Sequence, residues 1–229
     1  MRYAFVFLLT AAGFAALAAR VGGWAWVLLW SALAFALAGS AYLGVGPRVF
    51  SKRFDGEIRL LSRVLLLPFL LFVWGVWHLL RRFERRPALH PVAPGLLLGR
   101  RLLPGEMPPN VALVVDLSAE FDEPPEIRRG RKYVSLPILD GGVPDADALR
   151  RAVDEVEAAR GTVFVHCAQG HGRSGTFAAA VFLARGLAST PAEAIERIQN
   201  IRPGVRLRPE QARWLEKFAA TELVRRRQG

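Results

Sequence analysis

A single cysteine, Cys167, stands in the whole 229-residue chain. No intrachain disulfide can form, so a disulfide-stapled secreted scaffold is excluded, and a multi-cysteine metal site with it. Histidine is nearly as scarce. His78, His90, His166 and His171 are scattered along the chain, so no metal cluster is expected from their spacing. No internal repeat is present, which argues against a solenoid or propeller. Acidic residues fall short of basic ones, 20 against 31, for a formal net charge of +11. That surplus would suit nucleic acid, but the arginines concentrate beside apolar runs. Membrane lipid, and no nucleic acid, is therefore the expected partner.

Charge itself is missing near the N-terminus. From Tyr3 to Ala19, and again from Val21 to Val45, there is no charged residue, and only Arg20 separates the runs. The second run is long enough to cross about 30 Å of hydrocarbon, and the first, at roughly 17 residues, is just adequate. Trp24, Trp26 and Trp30 cluster at one end of the second run, where interfacial aromatics belong. A cleaved signal peptide is the rival reading, through Ala16-Leu-Ala18, but the charged lead-in is one Arg and another apolar run follows at once. A third apolar run, Val64 to Leu80, is interrupted by Pro68, Gly75 and His78. It reads as either a full span or a kinked, partly inserted segment, with His78 at the interface. Basic residues flank it on both sides, Arg59 and Arg63 before and Arg81, Arg82, Arg85 and Arg86 after, so the positive-inside rule leaves its topology open. Residues 1–86 are expected to form a membrane region of two to three apolar helices. The expected setting is multi-pass in the cell inner membrane, with the rest of the chain on the cytoplasmic side, where reducing conditions suit a working thiolate.

The composition changes at Pro87. Pro87, Pro91 and Pro94 read as a short stiff linker into a domain over 87–229 of ordinary size for one α/β unit. Gly95–Gly99, Val111–Leu117, Lys132–Pro137 and Thr162–His166 read as strands. Asp145–Ala159 reads as a helix with apolar Leu149, Val153 and Val156 on one face. Thr190-Pro-Ala-Glu193 has the capping-box form of a helix start, and a last helix begins near Pro209 and runs to Arg225, Arg226 and Arg227. Strands alternating with helices predict an α/β fold, a central and mainly parallel sheet flanked by helices, preceded by transmembrane helices.

One stretch organises this domain. Val163-Phe-Val-His-Cys-Ala-Gln-Gly-His-Gly-Arg-Ser-Gly175 is an apolar strand that runs into a glycine-rich loop and then into an apolar helix over Ser174–Arg185. Gly170 and Gly172 can take the positive φ values that turn successive N–H groups inward. The amides of Ala168, Gln169, Gly170, His171, Gly172 and Arg173, the Arg173 guanidinium and the helix N-terminus together suit a tetrahedral anion such as phosphate. The same positive surroundings favour the thiolate of Cys167. The motif His-Cys-x5-Arg-Ser-Gly resembles the signature of the cysteine-dependent protein tyrosine phosphatase superfamily, in its dual-specificity branch. Pro94–Gly99 resembles that branch's opening strand, and Arg202-Pro-Gly204 followed by Gln211 its C-terminal segment.

The resemblance implies a two-step displacement with no cofactor and no metal. Cys167 would be the nucleophile, Arg173 the clamp, and Ser174 the group that stabilises the departing thiolate. His166, before the cysteine, would tune and orient it. The general acid of that branch lies in a similar Pro-x-x-Asp segment, which selects Asp140, with Gly141 and Gly142 as hinge. Asp145 is more simply a helix N-cap and Asp147 a first-turn acid. Gln211 is either an ordering residue near the site or a plain surface glutamine. The expected activity is that of a membrane-anchored phosphomonoester hydrolase, first of all a protein-tyrosine or dual-specificity phosphatase. A phospholipid phosphatase of phosphatidylglycerophosphate or phosphoinositide type is one alternative, and an inactive membrane-bound anion-binding module another. The substrate partner is accordingly a phosphorylated protein or a phospholipid.

Overall fold

A computed structural model describes residues 2–228, with side chains to residue 222. The side chains of Arg225, Arg226 and Arg227 therefore lie outside the described residues. The chain divides into two compact units, Met1–Glu84 with Ala119–Asp122, and Arg85–Ser118 with Glu123–Gly229.

The first unit is helical. α1 (Arg2–Val21) is followed by a short 3-10 turn, then by α2 (Leu28–Ser40), which loosens into a π turn at Ala41–Val45 where Gly44 leaves helical geometry at φ +126°. α3 (Leu60–Leu65) and α4 (Leu67–Phe83) come from the third apolar run. The break falls at Leu66, and Pro68 lies in the first turn of α4, where its missing N–H costs nothing. Among the described residues two stretches, Arg2–Val21 and Gly23–Phe50, are long and apolar enough to cross a membrane, with mean hydropathy 2.0 and 1.7. Phe7, Phe35 and Phe69 join α1, α2 and α4, with ring centroids 5.1 to 6.1 Å apart.

The second unit is built on a five-stranded sheet in the order β1-β2-β5-β3-β4. β1 (Leu89–Ala93) pairs antiparallel with β2 (Leu96–Arg100), and the remaining pairings, among β2, β3 (Val111–Ser118), β4 (Lys132–Ile138) and β5 (Thr162–Cys167), are parallel. A four-residue turn of helix, α5 (Pro125–Arg128), precedes β4. α6 (Ala146–Ala158) follows β4 and is capped by Asp145, whose side chain accepts from the Ala148 amide at 2.9 Å. α7 (Gly172–Ala184), α8 (Pro191–Ile201) and α9 (Pro209–Gln228) complete the unit. Thr190 caps α8 as its sequence predicts.

The expected stiff linker is corrected. Its middle is strand β1, because Pro91 sits on the sheet edge, where a missing donor breaks no ladder. Gly95, at φ +69°, turns β1 into β2.

β5 lies between two parallel neighbours, and alternation along it divides the core. Val163, Val165 and Cys167 face the layer holding Leu149, Phe177, Val181 and Ile198, while Phe164 packs with Leu102, Val114 and Ile127 on the other side. The chain leaves β5 at its C-terminal end and enters α7 within a few residues. In parallel sheets, that edge is where ligands bind.

Candidate active site

Cys167 is the last residue of β5 and is 3% exposed. Its sulfur accepts a hydrogen bond from the Gly170 amide at 3.3 Å and lies 3.4 Å from the Ser174 Oγ. Gly170 takes φ +71°, and a Cβ there would fall about 2.5 Å from the backbone of Gly99 and Arg100, so only glycine fits. Gly172 departs from expectation. It has no positive φ because it is already the first residue of α7, and its lack of a side chain instead makes room for the Gln211 amide, 3.1 Å from where a Cβ would stand.

Arg202 holds the outside of the loop. This buried guanidinium donates through Nε to the Gly170 carbonyl at 2.8 Å and through Nη2 to the Gln169 carbonyl at 3.4 Å. Its Nη1 donates to the Pro87 carbonyl at 3.2 Å and lies 2.8 Å from His90 Nδ1. Burial and the charges of Arg202 and Arg86 push the His90 imidazole below its ordinary range, which keeps it neutral and able to accept from Arg202. With two loop carbonyls drawn outward onto Arg202, the inner side of the loop is left to amides.

Arg173, 3% exposed, reaches across to the end of β4. Its Nη1 donates to the Ile138 carbonyl at 2.9 Å, and its Nη2 lies 3.6 Å from Asp140 Oδ1. Asp140 is half exposed and also faces Arg208, 3.6 Å from its second oxygen. Cys167, Asp140, Gln169, His171, Gly172 and Arg173 share one cleft of about 320 Å³. Of the other expected residues, Ala168, Gly170 and Ser174 are buried and do not line the cleft.

Arg206, Arg208 and Gln211 also line the cleft. Sequence reasoning passed over the two arginines, although Val205-Arg-Leu-Arg208 alternates apolar and basic residues. Val205 and Leu207 turn into the core, which leaves the arginines on the opposite face. Gln211 is no surface residue. It is wholly buried, accepts from the Arg208 amide at 3.0 Å and donates to the Gly142 carbonyl at 3.0 Å.

His166 is fully buried on the other face of β5, stacked on Phe164 with centroids 5.2 Å apart. Its Nδ1 lies 3.9 Å from Asp116 and its Nε2 3.9 Å from Glu123. Asp116, Glu123 and His166 bring one ligand atom each within 4.8 Å of one another, a grouping that histidine spacing does not reveal. Counting histidines missed it because the partners are carboxylates from other segments. Arg101, 3.5 Å from Glu123, already supplies positive charge, and Tyr133 donates to Asp116 at 2.8 Å. Burial, then the charges of Asp116 and Glu123, drives the Tyr133 phenol far above its usual range, so it stays a donor. A cation entering this cluster would have to share it with Arg101, so the cluster reads as an internal ion network.

Residues 108–222 match the family described as Swiss Army Knife protein, DSP-PTPase phosphatase domain. The human dual specificity protein phosphatase CDC14A is 33% identical over 112 residues, which are 48% of this chain and 19% of that protein. The chain thus spans about a fifth of the length of that relative. The human phosphatidylglycerophosphatase and protein-tyrosine phosphatase 1 is 30% identical over 177 residues, 69% of this chain and 86% of that protein. Among solved structures, PTPMT1 in complex with PI(5)P superposes with a TM-score of 0.55 at 27% identity, over 61% of this chain and 99% of that one.

Proposed function

The chain belongs to the cysteine-dependent protein tyrosine phosphatase superfamily, through a dual-specificity-like phosphatase domain, and from that premise we propose that it is a membrane-anchored phosphomonoesterase whose substrate is the polar headgroup of an anionic phospholipid. The observation that carries the choice of substrate is the lining of the cleft. Asp140, Gly141, Gln169, His171, Gly204, Arg206, Arg208 and Gln211 surround Cys167, Gly172 and Arg173, and among the described residues the lining holds no Phe, Tyr, Trp, Leu, Ile or Val. A phosphotyrosyl ring would find no large apolar side chain among the described lining residues, whereas a polyhydroxylated or second phosphate-bearing headgroup would meet Arg206 and His171. The large exposed apolar side chains of α1, α2 and the 3-10 turn between them support the anchor, including Phe5, Leu9, Trp24 and Leu33.

In the first step the Cys167 thiolate attacks phosphorus. An S–P bond forms as the P–O bond to the headgroup breaks, and Asp140 gives its proton to the departing oxygen. Arg173 and the loop amides hold the three remaining oxygens. In the second step water gives a proton to the Asp140 carboxylate and its oxygen attacks phosphorus. The S–P bond breaks, and the sulfur leaves as a thiolate beside the Ser174 hydroxyl and the Gly170 amide.

A second reading, a protein-tyrosine or dual-specificity phosphatase, is the one the sequence alone favours. It keeps support from the similarity to CDC14A, whose name describes a dual specificity protein phosphatase. The two are separated by phosphate release from phosphatidylglycerophosphate and from a phosphotyrosyl peptide, using the full chain in mixed micelles. The expected result is a lipid preference of about 100-fold in kcat/KM, with Cys167→Ser inactive on both. A peptide preference would select the second reading. Equal rates for Cys167→Ser and the parent chain would leave only the inactive anion-binding module.

A further inference from the structure

Arg173 carries two obligations at once. It faces the Asp140 carboxylate at 3.6 Å, and it is the guanidinium that must meet the substrate phosphate. A phosphate in the loop draws that guanidinium toward its own oxygens, because the doubly charged group is the stronger partner. Asp140 then loses one of its two neighbouring cations at the moment it must point at the leaving oxygen.

A second cation is already in place. Arg208 lies 3.6 Å from the other carboxylate oxygen, on the side away from Arg173. Its guanidinium covers Gly141 closely: a Cβ at Gly141 would fall 2.5 Å from Arg208 Nε and 2.6 Å from its Cζ. Gly141 also holds φ +71°. The glycine next to the acid is therefore the seat of an arginine as well as a turn residue, and the hinge freedom expected of it is restricted by that contact. The seat is framed by Gln211, which accepts from the Arg208 amide and donates to the Gly142 carbonyl, so the residue that fixes the start of α9 also bonds the acid loop. Leu207, the residue before Arg208, is partly buried against the core.

We infer that Arg208 is the positioning residue of the general acid, holding the Asp140 carboxyl toward the cleft when substrate occupies Arg173. The inference rests on Asp140 being the acid, as assigned above. A misplacement of about 1 Å in such a group costs on the order of 100-fold in rate, so the orienting contact has a measurable effect.

The test uses the full chain in detergent micelles with a series of aryl phosphates, from p-nitrophenyl phosphate to phenyl phosphate. Arg208→Gln is expected to lower kcat for phenyl phosphate about 10-fold while changing that for p-nitrophenyl phosphate less than about 3-fold, since a good leaving group needs little protonation. KM should stay nearly constant across the series. Arg208→Lys should recover part of the loss. Gly141→Ala, which keeps Arg208 but fills its seat, should show the same dependence on leaving group. A uniform loss across leaving groups in both Arg208→Gln and Gly141→Ala would mean a structural role and overturn the inference. So would a rise in KM with kcat unchanged, which would make Arg208 a substrate-binding residue. Asp140→Ala, run alongside, separates the two layers: if it shows the leaving-group dependence and Arg208→Gln does not, only Arg208 is misassigned, and if it shows none, the acid itself lies elsewhere.

Discussion

Helices α1 and α7 are both rich in apolar residues, yet they dispose of them in opposite ways. α1 buries Ala4, Ala11 and Ala18 and turns Phe5, Leu9 and Leu17 outward, with Phe5 69% and Leu9 62% exposed. α7 buries Phe177 and Val181 completely, and takes Arg173, Ser174 and Thr176 inside with them. Small residues inward and large apolar residues outward suit a helix whose surroundings are hydrocarbon, where close backbone approach provides the packing and nothing is gained by hiding leucine. Large apolar residues inward suit a helix that hides from water. A buried cation is tolerated there only because it is hydrogen-bonded and is needed for an anion.

The contrast can be broken most forcefully at the two phenylalanines. Phe177→Ala should lower the stability of the phosphatase unit by about 3–5 kcal/mol, as a cavity opens in its core. Phe5→Ala should leave the same unit's melting temperature unchanged in micelles. A smaller difference would mean that the two helices are packed alike. Next in size is a charge placed in the middle of α2. Leu33→Arg, at a position 46% exposed, should cost about 2.5–3.5 kcal/mol of insertion, seen as a lower carbonate-resistant membrane fraction. Glu196→Arg, on the exposed face of α8, should have no such effect. If Leu33→Arg stays fully membrane-bound, the first unit does not use α2 to span.

The smallest expected effect concerns the phosphatase unit alone. His90 is held below its ordinary range by burial and by Arg202 and Arg86, so the folded chain binds fewer protons there than the unfolded one. Its contribution is complete above the ordinary histidine range and is lost as pH falls below it. The melting temperature should therefore drop more between pH 7.5 and 5.5 in the parent chain than in His90→Gln. Parallel curves would show that His90 does not titrate with unfolding.

Local chemistry was legible wherever one segment contains its own explanation. Asp145 and Thr190 cap their helices as their neighbours predict, and the run from Val163 to Gly175 announces strand, loop and helix in order. What escaped depends on segments distant in sequence. Gln211 looks like any helical glutamine until Gly142 and Arg208 are placed beside it. Asp116, Glu123 and His166 are ordinary residues until parallel pairing sets Asp116 opposite His166. Pro91 signalled stiffness, and only an edge position in a sheet turns that into a strand. Gly172 was read for its torsional freedom, when the space it vacates for a side chain from α9 is what the fold uses.

The bond from Arg202 to the Pro87 carbonyl bears on where the catalytic unit can be severed from the helical unit before it. The family match begins at residue 108, which would be a natural place to cut. A fragment made there would discard both strands on one flank of β5, the glycine backbone against which Gly170 is seated, and two of the acceptors that fix the Arg202 guanidinium. The working boundary of the enzyme is thus drawn by an arginine near its far end, some twenty residues ahead of where kinship becomes recognisable.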